Sequence, residues 1–191
     1  MKNLYLASTN AGKIAEYKKL LAAVNCKLLL QPESLEVEED GLTFRDNAIK
    51  KASEVSRKTN NFSIADDSGL CIEALDGKPG IYSSRYAEND QKRIERVLKE
   101  LDGVENRNAF FIANVCVCSP NGGVIIESEA KCYGNIIFNL RGKGGFGYDP
   151  IFEECSTGLT FAEMNNDIKD SLSHRGKALK KIIPNLIEIF S

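Results

Sequence analysis

No apolar run in this 191-residue chain approaches the roughly 18 residues that would mark a membrane span. The opening MKNLYLASTN turns polar too soon for a signal peptide. Large surplus charge of either sign is missing as well, since 25 Lys and Arg stand against 27 Asp and Glu for a net charge of −2. A general nucleic-acid binder neutralises several phosphates with a basic face, so this balance argues against a nucleic-acid partner. A local basic pocket for a small anion stays open. The six cysteines, at positions 26, 71, 116, 118, 132 and 155, lack the paired spacing of a metal site. They are expected to be reduced and structural, in a cytoplasmic protein. There is no internal repeat, no low-complexity tract and no dividing linker, so residues 1–191 are expected to form a single domain.

What is present is an alternation of strand and helix patterns. Residues 4–7 read as a strand, and Ile14, Tyr17, Leu20, Leu21 and Val24 form the stripe of a first helix. CKLLLQ reads as a second strand, and LTFRDNAIKKASEVSRK as a helix capped by Thr43 with Asp46 three residues on. FSIADDSGLCIEAL reads as a strand, an acidic turn and a further apolar segment. ENDQKRIERVLKELDG predicts a third helix, with Ile94, Val97, Leu98 and Leu101 on one face and Gly103 as its stop. Residues 108–133 predict a hairpin around SPNGG, with Cys116 and Cys118 sharing one face of its first strand. LRGKGGFGYDPIF is a glycine-rich loop, and LSHRGKALKKII opens the last helix with Ser173 as its cap. Pro184 kinks that helix or starts a new one. This order predicts an α/β fold with a mixed sheet.

Four segments carry residues suited to chemistry. LASTNAGK places backbone amides, hydroxyls and Lys13 at a positive helix end, which suits an anion, although a polar turn with a solvated lysine has the same composition. It is not a P-loop, because the GxxxxGK-Ser/Thr pattern is absent. EVEEDG and ADDSG supply carboxylates of the kind that hold Mg²⁺ beside phosphate oxygens, or else a solvated turn. On a strand, Asp66 and Asp67 would point to opposite faces. In GGFGYDPIF the aromatics Phe146 and Tyr148 sit among glycines, where a ring can stack on a base or tuck into the core. DIKDSLSHRGKAL holds the only histidine, His174, next to Arg175, with no Cys or Ser nucleophile signature. An arginine in a first helical turn opposes the dipole, which hints at a reason beyond helix stability.

Taken together, ASTNAGKIAEY, EEDGLTFRDNAIKKA, ADDSGLCIEALDGKPGIYSSRYA, GFGYDPIF and SHRGKAL resemble the inosine triphosphate pyrophosphatase family over almost the whole chain. The resemblance implies two α/β lobes around a long mixed sheet with a central active-site cleft, a homodimer, and Mg²⁺ as the cofactor. It also implies hydrolysis of ITP, dITP and XTP to the monophosphate and pyrophosphate. By the same resemblance Asp67 is the catalytic carboxylate and a metal ligand, with Glu38 as the second metal carboxylate and Glu39 the alternative. Ser8, Thr9, Asn10, Ala11, Gly12 and Lys13 would bind the triphosphate, and Ser68 and Lys169 would contact the substrate, Lys169 adding positive charge there. Phe146, Gly147, Tyr148, Asp149, His174 and Arg175 would meet the base, and Asp66 would support the ion cluster. Donors fixed at a 6-oxo edge reject the 6-amino group of adenine, because pairing donor with donor leaves buried groups unsatisfied. The departures, Asp40 before the glycine and Asp46 in the helix, touch none of these positions. Two other readings compete: a nucleotide sensor that has lost the chemistry, and a pyrophosphatase for modified pyrimidines. The clustered carboxylates speak against the first, and the base-pocket segments against the second.

Overall fold

The computed structural model describes residues 1–191. Strand β1 (Lys2–Leu6) leads through helix α1 (Ala11–Leu20) to β2 (Cys26–Leu30), which pairs with it in parallel from Lys2↔Cys26 to Leu6↔Leu30. Helix α2 (Phe44–Thr59) then returns the chain to β3 (Phe62–Ile72), parallel to β1 on its other side, with Leu4 opposite Phe62 and Leu6 opposite Ile64. The expected cap of α2 forms: Thr43 Oγ1 accepts the Asp46 N–H at 3.1 Å and donates to Asp46 Oδ2 at 2.7 Å. Helix α3 (Asp90–Glu100) precedes the hairpin of β4 (Asn108–Cys118) and β5 (Val124–Ile136). Its turn closes through Ser119 N–H to Gly123 O and Gly122 N–H to Ser119 O, both 2.9 Å. Short β6 (Phe152–Glu154) pairs antiparallel with β5, completing a sheet ordered β2-β1-β3-β4-β5-β6. Parallel and antiparallel pairs share it, so the fold is α/β with a mixed sheet, as the element order predicts.

The chain forms two compact units. Unit one comprises 1–67, 113–130 and 175–191, and unit two comprises 68–112 and 131–174. Unit one has apolar contacts on both faces of its strands, which is why they read as near-continuous hydrophobic runs. Leu4, Leu6 and Ile64 pack with Tyr17 of α1 and with Leu179, Ile182, Leu186 and Phe190 of the last helix. The alternate residues, Ala7 and Ala65, pack with Ala48, Ala52 and Val55 of α2 and with Cys116 and Cys118. In unit two, Leu70 and Ile72 join Ile94, Val97, Phe111, Phe152 and Phe161.

One local expectation gives way to the structure, and two other places are filled in by it. The acidic turn after SIA does not exist, because β3 runs unbroken from Phe62 to Ile72 with Asp66 and Asp67 both buried inside it. Turn propensity is overridden there because each carboxylate meets cations from packed helices. An unpredicted helix α4 (Asn166–Leu172) precedes the last one. Ser173 follows it in extended backbone (φ −66°, ψ 157°) directly before α5 (His174–Phe190). Helix α5 then runs through Pro184 as one element.

Candidate active site

The pleat of β3 divides the site chemistry of unit one. Asp66 shares the face of Ile64, toward α1 and α5, and Asp67 shares the face of Ala65, toward α2. On the first face, Lys13 Nζ lies 3.0 Å from Asp66 Oδ2. Arg175 donates to the same oxygen through Nη2 at 3.1 Å and Nε at 3.3 Å, and its Nη1 pairs with Glu16 of α1. Burial alone would raise the Asp66 carboxyl, but Arg175, Lys13 and Lys51 reverse that and hold it far below the usual carboxylate range. Desolvation lowers the Lys13 ammonium; Asp66 opposes this, and neighbouring Lys51 and Arg175 reinforce it. Lys13 stands in the first turn of α1, where Asn10 Oδ1 caps its N–H at 3.0 Å and the Asn10 N–H donates to Ser8 Oγ at 3.2 Å. No acid occupies that turn, so the helix end keeps its positive character.

On the second face, α2 aims Asn47 and Lys51, one turn apart, at Asp67. Asn47 Nδ2 donates to Asp67 Oδ2 at 3.0 Å while its Oδ1 accepts the Gly41 N–H at 2.8 Å, tying the acidic segment to β3. A Cβ at Gly41 would press into the Asn47 amide, 2.6 Å from its oxygen. Lys51 Nζ donates to Glu39 Oε1 at 2.5 Å and Asp66 O at 2.8 Å, and lies 3.5 Å from Asp67 Oδ1. Burial pushes the Asp67 carboxyl up, with Glu39 adding to the rise and Lys51, Lys13 and the Asn47 bond restraining it. Burial would lower Lys51, but Asp67, Glu39 and Asp66 together raise it. Adjacent carboxylates thus differ: Asp66 is locked in its ionised form, whereas Asp67 takes up a proton more readily than a free aspartate.

Unit two organises the glycine-rich loop. Asp149 Oδ2 accepts the Phe146 N–H at 2.9 Å and the Lys169 ammonium at 2.8 Å. A Cβ at Gly145, where φ is +74°, would collide with that same oxygen. The Lys169 ammonium lies 4.8 Å from the centre of the half-buried Phe146 ring, within cation–π range. Tyr148 is a core residue whose hydroxyl donates to Ser83 O at 2.9 Å, and burial raises its phenol. The imidazole of buried His174 stacks on Phe111 at 4.8 Å and 10°.

Several expectations are refined by these positions. Glu38 is exposed, and the acid joined to Asp67 through Lys51 is Glu39. The Arg175 guanidinium, expected at the base, is engaged with Asp66 and Glu16. Ser8, Gly12 and Ser68 are half-buried, and Thr9, Asn10 and Ala11 are exposed around the start of α1. Asn47, Lys51 and Glu16 are site residues that the sequence reading passes over. Asn47 and Lys51 lie on the buried stripe of α2 with Ala48, Ala52 and Val55, and that misplaced polarity is the signal that could have found them.

The donor set is also a test for a divalent cation. Glu39 and Asp67 are hard oxygen donors directed at one positive centre, the Lys51 ammonium. One or two protein carboxylates, with phosphate oxygens and water completing the shell, is how Mg²⁺ is commonly held, so these residues fit such an ion.

A mixed α/β sheet that brings an acid-free helix end, buried lysines and a perturbed carboxylate together defines a protein built to handle phosphorylated small molecules. The model of the Ham1 family matches residues 4–185, and the chain belongs to that family. A dITP/XTP pyrophosphatase of Prochlorococcus marinus subsp. pastoris is 81% identical over 191 residues, covering 100% of both chains. Among solved structures, a HAM1 protein from Coxiella burnetii superposes with a TM-score of 0.90 at 39% identity, covering 98% of this chain and 100% of its own. The Ham1 protein of Staphylococcus aureus gives 0.87 at 34% identity, covering 98% and 100%. The resemblance carried by the five sequence segments is borne out.

Proposed function

We propose that the chain is a nucleoside-triphosphate pyrophosphatase that hydrolyses the non-standard purine nucleotides ITP, dITP and XTP to the monophosphate and pyrophosphate, clearing them from the nucleotide pool. The observation that carries this reading is the Asp67 carboxyl, raised by burial and aimed by Asn47, beside lysines at an acid-free helix end. The curated relatives named dITP/XTP pyrophosphatase support the choice of substrate.

Residues Ser8 to Lys13 hold the triphosphate through hydroxyls, backbone amides and the Lys13 charge. Lys13 arrives with a lowered pKa, and the polyanion restores its preference for the proton. Asp67 accepts a proton from water as the water oxygen attacks the α-phosphorus. Asn47 fixes the carboxylate, so the proton moves to a defined oxygen. The bond from the α-phosphorus to the bridging oxygen breaks, and pyrophosphate leaves with its charge matched by Lys13 and Lys51. Mg²⁺, held by Asp67 with Glu39 or the neighbouring Glu38, would neutralise phosphate charge and make bound water more acidic. Asp66, fixed by Arg175, sets the position of Lys13. Phe146 stacks on the purine, while Lys169 and His174 complete the base side with Gly147, Tyr148 and Asp149 as its frame. The protein works in the cytoplasm as a homodimer.

The test is pyrophosphate release from ITP, XTP, dUTP, ATP and GTP, each with Mg²⁺ and with a chelator. ITP and XTP turning over no faster than ATP and GTP would sink the purine reading. Equal turnover in the chelator would sink the metal.

A further inference from the structure

The aromatic loop is tied down by a carboxylate from outside every segment assigned to the site. Asp90, the first residue of α3, accepts the Gly147 N–H through Oδ2 at 2.7 Å. Its Oδ1 accepts Arg93 Nη1 at 2.6 Å, and Arg93 Nε donates to Ala87 O at 3.2 Å, so the carboxylate is braced from behind. The start of α3 does not need the loop, because Asn89 Oδ1 already caps the Lys92 N–H at 2.9 Å. The Asp90 side chain is 48% exposed, so no core packing compels the contact.

The loop for its part needs an anchor. Gly142, Gly144, Gly145 and Gly147 give it unusual conformational freedom. Gly147 at φ +62° followed by Tyr148 at φ −89°, ψ 5° matches the central pair of a type II′ turn, closed by Asp149 N–H to Phe146 O at 3.3 Å. Two successive amides, those of Phe146 and Gly147, are therefore gripped by carboxylates from two different places in the chain, Asp149 and Asp90. A ring is a good stacking platform only if its backbone is ordered before the base arrives, since ordering on binding subtracts from affinity.

We propose that Asp90 is a positioning residue for the base-stacking ring of Phe146, acting through the Gly147 amide; this rests on reading Phe146 as the base platform. Loss of one hydrogen bond to a charged group predicts a KM for ITP roughly tenfold higher in Asp90→Ala, with kcat within about twofold. Asp90→Asn keeps an oxygen acceptor and is expected to restore most of the KM. Arg93→Ala removes the brace at Oδ1 but leaves the Gly147 bond, and should keep a KM near wild type.

A second readout does not depend on turnover. The chain has no tryptophan, so Phe146→Trp places a single tryptophan at the ring, which can be excited selectively over the six tyrosines. Adding Asp90→Ala to it should steepen acrylamide quenching and lower the anisotropy, and adding Asp90→Asn should not. An unchanged KM in Asp90→Ala overturns the proposal, and so does a lowered melting temperature with KM and quenching unmoved, which would reduce Asp90 to a helix-start residue. An Asn variant as poor as Ala overturns the hydrogen-bond role. If the wild type does not prefer ITP, the nucleotide reading fails, and the quenching alone decides whether Asp90 orders the loop.

Discussion

Replacing Arg175 with methionine isolates the charge that holds Asp66. The methionine stem retains much of the packing of this buried side chain, so the loss comes from the two bonds to Asp66 Oδ2, at 3.1 and 3.3 Å, and the pair with Glu16. Removing one partner of a buried ion pair typically costs about 3–5 kcal/mol. Here Lys13 remains 3.0 Å from the same oxygen, which places the expected loss near the lower end, about 3 kcal/mol. For a chain of this size that corresponds to a fall in Tm of about 6–12 °C by calorimetry at pH 7. The pH dependence supplies an independent check. The folded Asp66 carboxyl lies below its ordinary 3.8, so its contribution to stability is full above that value and is lost as pH falls below it toward the folded value. In Arg175→Met the folded carboxyl moves back up, less is lost on acidification, and the gap from wild type narrows below about pH 4. A Tm within about 2 °C of wild type at pH 7, or a gap as wide at pH 3 as at pH 7, would refute the account of Arg175 as the clamp on Asp66.

Four further outcomes follow from the same geometry. Asp67→Asn should lower kcat by about 10²–10⁴-fold, as loss of a general base does, while circular dichroism stays native; retained turnover removes Asp67 from that role. In the metal-free protein, carboxyl carbon NMR should show Asp67 titrating above 3.8 and Asp66 below it, and the reverse order would contradict the opposed environments of the two faces. Lys51→Met takes away a cation that holds Asp67 down, so the Asp67 titration should move to higher pH, and a downward move would count against the pairing. Gly145→Ala combines a φ of +74° with a collision at Asp149, so unfolding should show a loss of about 1–3 kcal/mol, and a neutral effect would mean the loop adjusts freely.

Where local pattern and packing agree, the fold was legible in the sequence. The stripe of α1, the Thr43–Asp46 cap and the SPNGG turn all stand in the structure. What the pattern hid was long-range compensation. ADDSG has turn composition, and only the cations brought by α1, α2 and α5 make it tolerable inside a strand. Asn47 and Lys51 stand out as polar residues on the α2 stripe of Ala48, Ala52 and Val55, but only β3 placed against that stripe supplies the partners that explain them. The choice between Glu38 and Glu39 turns on the path of an irregular segment, which the Asn47–Gly41 bond sets and no periodicity records. Pro184 was ambiguous for a related reason, since packing of Leu179, Ile182, Leu186 and Phe190 on both sides of it decides that the helix continues.

The alternation of β3 also constrains how this chain can change. Asp66 and Asp67 differ only in which side of the pleat they occupy, and that side is fixed by the register of Leu4 with Phe62 and of Leu6 with Ile64. Deleting the residue between Ile64 and Asp66 would flip both carboxylates to the opposite faces and move each one step back along β3. One aspartate would then stand before Arg175 and Lys13, while the other would fall two positions short of Asn47 and Lys51, where Ser68 would take its place. Both acids would survive in the sequence with one face of the site stripped of its carboxylate. Length between Ile64 and Asp66 is therefore as heritable a requirement as the identity of either aspartate, and a comparison of related chains that scored substitutions alone would overlook it.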